Sequence, residues 1–371
     1  MASIRKRNWI NKDGKRTFCW MVDFIDNEGN RESKSGFKTK VEAEAYRAKI
    51  EHSLNTGSYI KDNKILFESA MAIFIESHIN HYCKFSTADT YKSVINQHIL
   101  PFFKGKKLND IKPTTIHSFI TDRKDHEASI SRINEILKVL KVFFNKLEEL
   151  EMIQNNPARC IKKLKEVKKE MKILSKEQIN ILLESSKNTN QQAYTLISTA
   201  IFTGIRQGEL LALTWEDVDF TNNIININKT VYDGIVTTTK TESSVRKITM
   251  CKGLKKVLQE WKLRTSNDNL VFPNKKGNHI DKKNLTARIF KPILKNAELP
   301  NIRWHDLRHT YASIMISERA SMRVVQEQLG HKSFKTTMDT YTHTLASDAE
   351  KYIEILDGII TKEDEKILEA V

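Results

Sequence analysis

The stretch TGIRQGELLAL, residues 203–213, places an arginine and a glutamate three positions apart behind a glycine that allows a tight turn, so Arg206 and Glu209 stand one helical turn apart on one face. Two further stretches follow it. HDLRHTYAS (residues 305–313) repeats the three-residue step with His305 and Arg308, and LGHKSFKTTMDTYTH (residues 329–343) sets His331 after a glycine and Tyr341 ten residues later. Taken singly, each has an ordinary explanation. An Arg–Glu pair at this spacing is usually a surface helix pair worth about 0.2–0.5 kcal/mol, a histidine beside an arginine caps a helix or bonds in a core, and a lone tyrosine packs. His305 and His309 also have the four-residue step of a zinc pair, but Asp306 stands where that pattern needs glutamate and no third ligand follows, so no metal site is read.

Around these islands the chain is 371 residues long, too long for one typical core, which implies two or three domains. Hydrophobic residues at 39% and charged residues at 29% mark it as globular rather than disordered. No apolar run approaches the roughly 20 residues of a membrane span. The first residues, MASIRKRNWINKDGKR, are basic with no apolar stretch behind them, so neither a signal peptide nor an anchor is read and a cytoplasmic protein is expected. Cys19, Cys83, Cys160 and Cys251 are scattered singly and are expected to be reduced packing residues. The net charge of +15 favours a polyanionic partner, because lysines and arginines that neutralise phosphates release counterions. Ribosome-associated and membrane-surface proteins share that signature.

Residues 17–26 predict a strand, with Phe18, Trp20, Val22 and Phe24 alternating at period two. Residues 27–30 supply a turn, residues 31–36 a returning strand, and Thr39 with Glu42 a capping box before a helix running to about Asn55. From residue 66 to about 160 the pattern is helical. An amphipathic segment spans 67–78, Ser86 with Asp89 reads as a cap, and Pro113 opens a further helix. Residues 129–150 carry Ile130, Ile133, Leu137, Leu140, Phe144 and Leu147 as a core stripe. KKLKEVKKEMK (residues 162–172) is charged without an obvious buried face, a solvated linker or a segment that tracks phosphates. Ser175 and Gln178 form another capping box, helical patterns at 176–186 and 193–202 lead to a strand-like section at 224–250, and helices then return.

An arginine in a TGxRxGE context, then HxxR, then LGH and a tyrosine, in that order in one domain of a basic chain, resembles the tyrosine recombinase (phage-type integrase) family. It is similar in particular to integrases of Gram-positive phages, genomic islands and conjugative transposons, whose last motif often reads TMxTYTH. The motifs cover about residues 175–345 and the domain order agrees over the rest. The resemblance implies a multidomain, mainly α protein with small β-sheets. Residues 1–60 would be an arm-type DNA-binding module, a three-stranded sheet plus helix that enters the major groove. Residues 65–160 would be a helical, SAM-like core-binding domain, 161–173 a basic linker, 174–345 a mixed α+β catalytic domain and 346–371 a tail. In that tail Tyr352, Ile355, Leu356, Ile359 and Ile360 fall at helical spacing, an apolar face expected to dock on a neighbouring protomer.

The implied activity is site-specific DNA recombination through a 3′-phosphotyrosyl intermediate, integrating or excising a mobile element, with Tyr341 as nucleophile. A phenol of pKa about 10 needs cations or a base nearby to lose its proton; Arg206, Arg308 and His305 would serve. Guanidinium groups donate two parallel hydrogen bonds and stay charged, which suits Arg206 and Arg308 to clamp the scissile phosphate. His331 would hydrogen-bond that phosphate, and Glu209 would orient its neighbours. In TKTESSVRKI (residues 239–248) the hairpin Lys240 would protonate the leaving 5′-oxygen, with Lys229 and Lys247 as alternatives in the same section. DNA contacts are expected from Arg5, Arg7, Arg16, Arg31 and Lys34 in the module and from Lys162, Lys163 and Lys165 in the linker. No metal, cofactor or ATP is implied. Partners would be duplex attachment sites, three further protomers on DNA, and a host DNA-bending protein and an excisionase as candidate helpers, near the nucleoid of a bacterial host. A resolvase or invertase of the same chemistry and a non-catalytic regulator with this fold are the other readings.

Overall fold

A computed structural model describes residues 2–10, 15–27, 29–56, 65–167, 171–238, 245–265 and 269–330. The chain divides into two compact units, residues 1–168 and 169–371. Among the described residues no helix is long and apolar enough to cross a membrane.

The first unit opens on an antiparallel sheet of β1 (Ser3–Ile10), β2 (Arg16–Ile25) and β3 (Arg31–Phe37) in that order, followed by helix α1 (Lys40–Asn55). The capping box forms as predicted: Thr39 Oγ1 accepts from the Glu42 N–H, and the Glu42 carboxylate accepts from the Thr39 N–H. Trp20, Val22 and Phe24 share one face of β2 and pack with Ile4, Ala43, Tyr46 and Ile50. Phe18, expected to join them, is about half exposed, and the Lys6 ammonium sits 3.8 Å from its ring centre. β3 carries one extra residue, since Trp20 pairs with Phe37 but Met21 with Ser35, a bulge at Gly36.

A second core in this unit is helical. α2 (Phe67–Phe74) runs through a π turn (Ile75–Ile79) into α3 (Asn80–Tyr82); α4 (Phe85–Val94) runs through another (Ile95–Ile99) into α5 (Leu100–Phe103); α6 (Pro113–Asp125) and α7 (Ile130–Glu149) follow. Phe67, Phe74, Phe103, Phe119 and Phe143 meet in its centre. Ser129 caps α7 by accepting from the Arg132 N–H, and Ile133, Leu137, Leu140, Phe144 and Leu147 are buried. Ile130, counted in that stripe, is 41% exposed, because it begins the helix ahead of its packed turns. Ser86 is not a cap. α4 starts two residues earlier than a Ser86 cap would place it, behind Lys84, which leaves Ser86 inside the first turn with its carbonyl accepting from the Thr90 hydroxyl.

The charged stretch after this core also departs from expectation. Leu164 packs partly buried against the helices. The Asn134 amide takes both of its backbone bonds, donating to Leu164 O at 3.0 Å and accepting from Leu164 N at 2.8 Å. A buried asparagine with donor and acceptor on one side chain can satisfy both the N–H and the C=O of one residue, so the chain stays attached to the helical core well past residue 160.

The second unit starts at α8 (Lys176–Thr189), capped reciprocally by Ser175 and Gln178. α9 (Gln191–Thr203) and the short α10 (Gln207–Leu210) lead into strands β4 (Val218–Asp219), β5 (Ile224–Ile227), β6 (Lys229–Tyr232), β7 (Ile235–Thr238) and β8 (Arg246–Thr249). β4, β5 and β8 form one antiparallel sheet, and β6 with β7 a separate hairpin. α11 (Lys252–Arg264), α12 (Lys282–Asn284), α13 (Lys291–Asn296) and the start of α14 (Trp304–Ser317) complete a mixed α+β body around a large apolar core, and α15 (Met322–Leu329) packs Val325 and Leu329 with Ala312 and Ile316 of α14 in a smaller one.

Candidate active site

The three sequence islands are joined to one another by hydrogen bonds from two arginines. α9 ends at Gly204, which adopts φ +61° and leaves no room for a side chain, since a Cβ there would stand 2.5 Å from Tyr311 Cδ1 and 2.8 Å from Leu329 Cδ2. The turn delivers Arg206 to the N-cap of α10 rather than into the helix. Glu209 three residues on still meets it: Arg206 Nη1 donates to Glu209 Oε1 at 2.8 Å, and the Arg206 backbone N–H donates to Oε2 at 3.2 Å.

α14 supplies the second island. Asp306 holds its first turn, accepting from the Arg303 backbone N–H at 2.7 Å. His305 and Arg308 then lie one turn apart. Arg308 is only 2% exposed; its Nη1 donates to Gly204 O at 2.9 Å and its Nη2 to Leu329 O at 2.7 Å. Arg206 Nη2 reaches Gly330 O at 3.0 Å. One guanidinium thus ties the first island to the third, and the other returns the tie. His305 stands beside them with part of its side chain open to solvent. Burial, then the His309 ring and the Arg308 and Arg206 charges, lower its imidazole to about 4, so at neutral pH it is an uncharged acceptor and donor.

Lys240, His331 and Tyr341, and the tail at 346–371, lie outside the described residues. Gly330 is the last described position before His331. Of the alternative lysines, Lys229 is committed elsewhere: its Nζ lies 2.8 Å from Asp217 Oδ2 and 2.8 Å from Thr214 Oγ1. Burial would raise the Asp217 carboxyl, but the hydrogen bonds from Lys229 and Thr214 keep it below its usual range. Lys247 is exposed on β8, opposite Asn226.

Arg246 escaped the sequence reading. Its guanidinium donates to Glu209 Oε2 at 2.8 Å and to Gln328 O at 2.7 Å. A signal was present, since Arg246 stands two residues before the buried Ile248 on a strand and therefore shares its inward face.

The module's basic residues divide by register. Arg5 pairs across to Met21, Arg7 to Cys19 and Ile25 to Arg31, so Arg5, Arg7 and Arg31 share the face opposite α1, with Trp9. Arg16 and Lys34 fall on the other parity, with Ile10 and Val22 opposite them. Arg5 Nε also pairs with Asp23 at 2.6 Å. Beyond Ile161, Lys162 and Lys165 are exposed, and Lys163 lies 3.2 Å from Glu166.

Residues 172–348 match the model of the phage integrase family, and residues 66–122 match that of the phage integrase N-terminal SAM-like domain. The chain is 29% identical over 345 residues to the ICEBs1 integrase of Bacillus subtilis (strain 168), covering 87% of this chain and 91% of that protein. It is 27% identical over 334 residues to the integrase of Staphylococcus phage L54a, covering 80% and 93%. In fold it is similar to the Tn1549 transposon integrase in complex with transposon right end DNA, with TM-score 0.65 and 20% identity over 76% of this chain and 98% of that one. The lambda integrase in a tetramer bound to a Holliday junction aligns with TM-score 0.61 and 17% identity over 88% and 95%.

Proposed function

Since this chain belongs to the phage integrase family and is a tyrosine-type site-specific recombinase, we propose that Arg206, Lys240, His305, Arg308, His331 and Tyr341 carry its strand exchange on DNA. The observation behind this reading is the hydrogen-bonded closure of the three islands, Arg308 on Gly204 O and Leu329 O and Arg206 on Gly330 O. It brings the two arginines and His305 together at the point from which the chain continues to His331.

Tyr341 Oη attacks the scissile phosphorus and a 3′-phosphotyrosyl bond forms. The 5′-oxygen leaves and takes a proton from Lys240. The phenolic proton passes to the neutral His305, directly or through the phosphate. Negative charge on the non-bridging oxygens meets Arg206, whose side chain is 34% exposed and has donors beyond its two protein bonds. The buried Arg308 adds its charge from beneath. In the reverse direction the 5′-hydroxyl of the partner strand attacks the phosphotyrosine and restores the phenol. The broken bond's energy is conserved, so rejoining needs no ATP.

DNA is carried over to this chain from the Tn1549 complex and the four-protomer assembly from the lambda Holliday-junction complex. The reaction is integration and excision of the element that encodes the chain. Arg5, Arg7 and Arg31 would face arm-site phosphates from the face of the module's sheet opposite α1, and Lys162 and Lys165 would follow the backbone after the helical core. A host DNA-bending protein and an excisionase are the helpers such a reaction would recruit. The test is a duplex spanning the element's joined ends and nicked beside the cleavage point, so that the cut fragment diffuses away. Wild type accumulates a covalent adduct; Tyr341→Phe binds within a few-fold and forms none. An adduct with the Phe variant would assign the nucleophile to another residue.

A further inference from the structure

Arg246 begins β8 and pairs across to Ile227, and its side chain is only 5% exposed. Two of its bonds join parts of the site that come from distant stretches: Glu209 in α10, and Gln328 at the end of α15. Glu209 is itself 3% exposed and bonds Arg206 through both carboxylate oxygens. At the other end, Gln328, Leu329 and Gly330 offer their carbonyls to Arg246, Arg308 and Arg206 in turn. The last carbonyls of a helix have no partner within it and concentrate negative partial charge. Here three guanidinium groups supply both the donors and the charge. Gly330, at φ +66°, sits directly on Arg246, where a Cβ would lie 2.9 Å from Arg246 Cδ.

We infer that Arg246 is a positioning residue for strand cleavage: by holding Glu209 and the carbonyl end of α15 together, it sets the orientation of Arg206 and the point of departure of the chain toward His331 and Tyr341. The inference rests on the cleavage reading above. Two cations oppose Glu209, Arg206 from its own turn and Arg246 from β8. Burial would raise its carboxyl, and the hydrogen bond and charge of Arg246, then those of Arg206, hold it below the usual range. Among the described residues, Tyr311 faces Arg246 and is raised by burial, and His305 feels Arg206 and Arg308. Without Arg246 the Glu209 carboxyl would rise toward protonation and release Arg206 as it did so.

The experiment measures single-turnover adduct formation by the full chain on the nicked joined-end duplex, from about pH 5 to 8, alongside gel-shift binding and thermal unfolding. Arg246→Gln is expected to bind within about threefold of wild type and to cleave about tenfold or more slowly, the size of one lost charge-assisted hydrogen bond. It should lose further rate on the acid side, where wild type stays flat. Arg246→Gln combined with Glu209→Gln should be no slower than the slower single variant, because both remove one path to Arg206. Arg246→Lys keeps the charge but cannot span both acceptors, so it is expected to restore the flat pH profile without the rate; should the Gln variant not fold, the Lys variant's slow cleavage reads the same point. Normal cleavage with a flat profile, additive losses in the double variant, or a loss that tracks unfolding at every pH would each overturn the inference. A wild-type chain that forms no adduct on this duplex would refute the cleavage reading instead.

Discussion

In the proposed reaction the roles of His305 and Lys240 depend on which form of a single group is present. The folded His305 imidazole titrates near 4, against about 6.5 for an unfolded histidine. Between those values the unfolded chain binds a proton that the folded chain does not, so stability falls as pH drops through that window and levels off below it. His305→Gln, with no proton to bind, should therefore lose less thermal stability than wild type on going from neutral pH to about pH 4.5. Parallel melting curves that fall equally would show His305 to be solvated. For Lys240, sulfur in place of the bridging 5′-oxygen makes a leaving group that needs no proton. Lys240→Ala should cleave the sulfur duplex nearly as fast as wild type does while failing on the normal one. No rescue would move the acid to Lys247, since Lys229 is already held by Asp217 and Thr214.

Among elements, the turn from α9 into α10 and the end of α15 bear on each other. Gly204→Ala would force an L side chain into a left-handed conformation, costing about 1–2 kcal/mol, and would push on Tyr311 and Leu329 as well. Denaturant unfolding should show a loss larger than the backbone cost alone, and cleavage should fall with it because Leu329 O is an Arg308 acceptor. A loss confined to the backbone cost would mean that Tyr311 and Leu329 move aside freely. Elements of this kind were legible where the signal is local. Thr39 with Glu42 and Ser175 with Gln178 cap as read, because each bond spans three residues. β1 left no periodic trace, since Ser3–Ile10 exposes most of both faces. Arg246 was hidden for another reason: its acceptor at Gln328 lies 82 residues away and is a backbone oxygen, which no residue type announces. Asn134 was missed the same way, through its bonds to the Leu164 peptide.

For the whole molecule, the amino-terminal sheet has its own core, with Val22, Phe24, Ala43 and Ile50 separate from the phenylalanine cluster of the helical domain. A chain starting near Asn63 should fold, form the covalent adduct on a joined-end core duplex, and fail in integration on a longer site that includes arm sequences. Equal integration by the shortened chain would remove the module from the reaction. The bonding at the end of α15 has a further consequence, for how this protein can vary. Its acceptors are the carbonyls of Gly204, Gln328, Leu329 and Gly330, and a carbonyl is present whichever amino acid occupies the position. Substitution deletes such a bond outright only at its arginine, while at Gly204 a side chain would instead push on Tyr311 and Leu329. Exposed positions of α15 such as Arg323 are therefore open to drift, and a lineage can rewrite that surface for new partners while its cutting centre passes on unchanged.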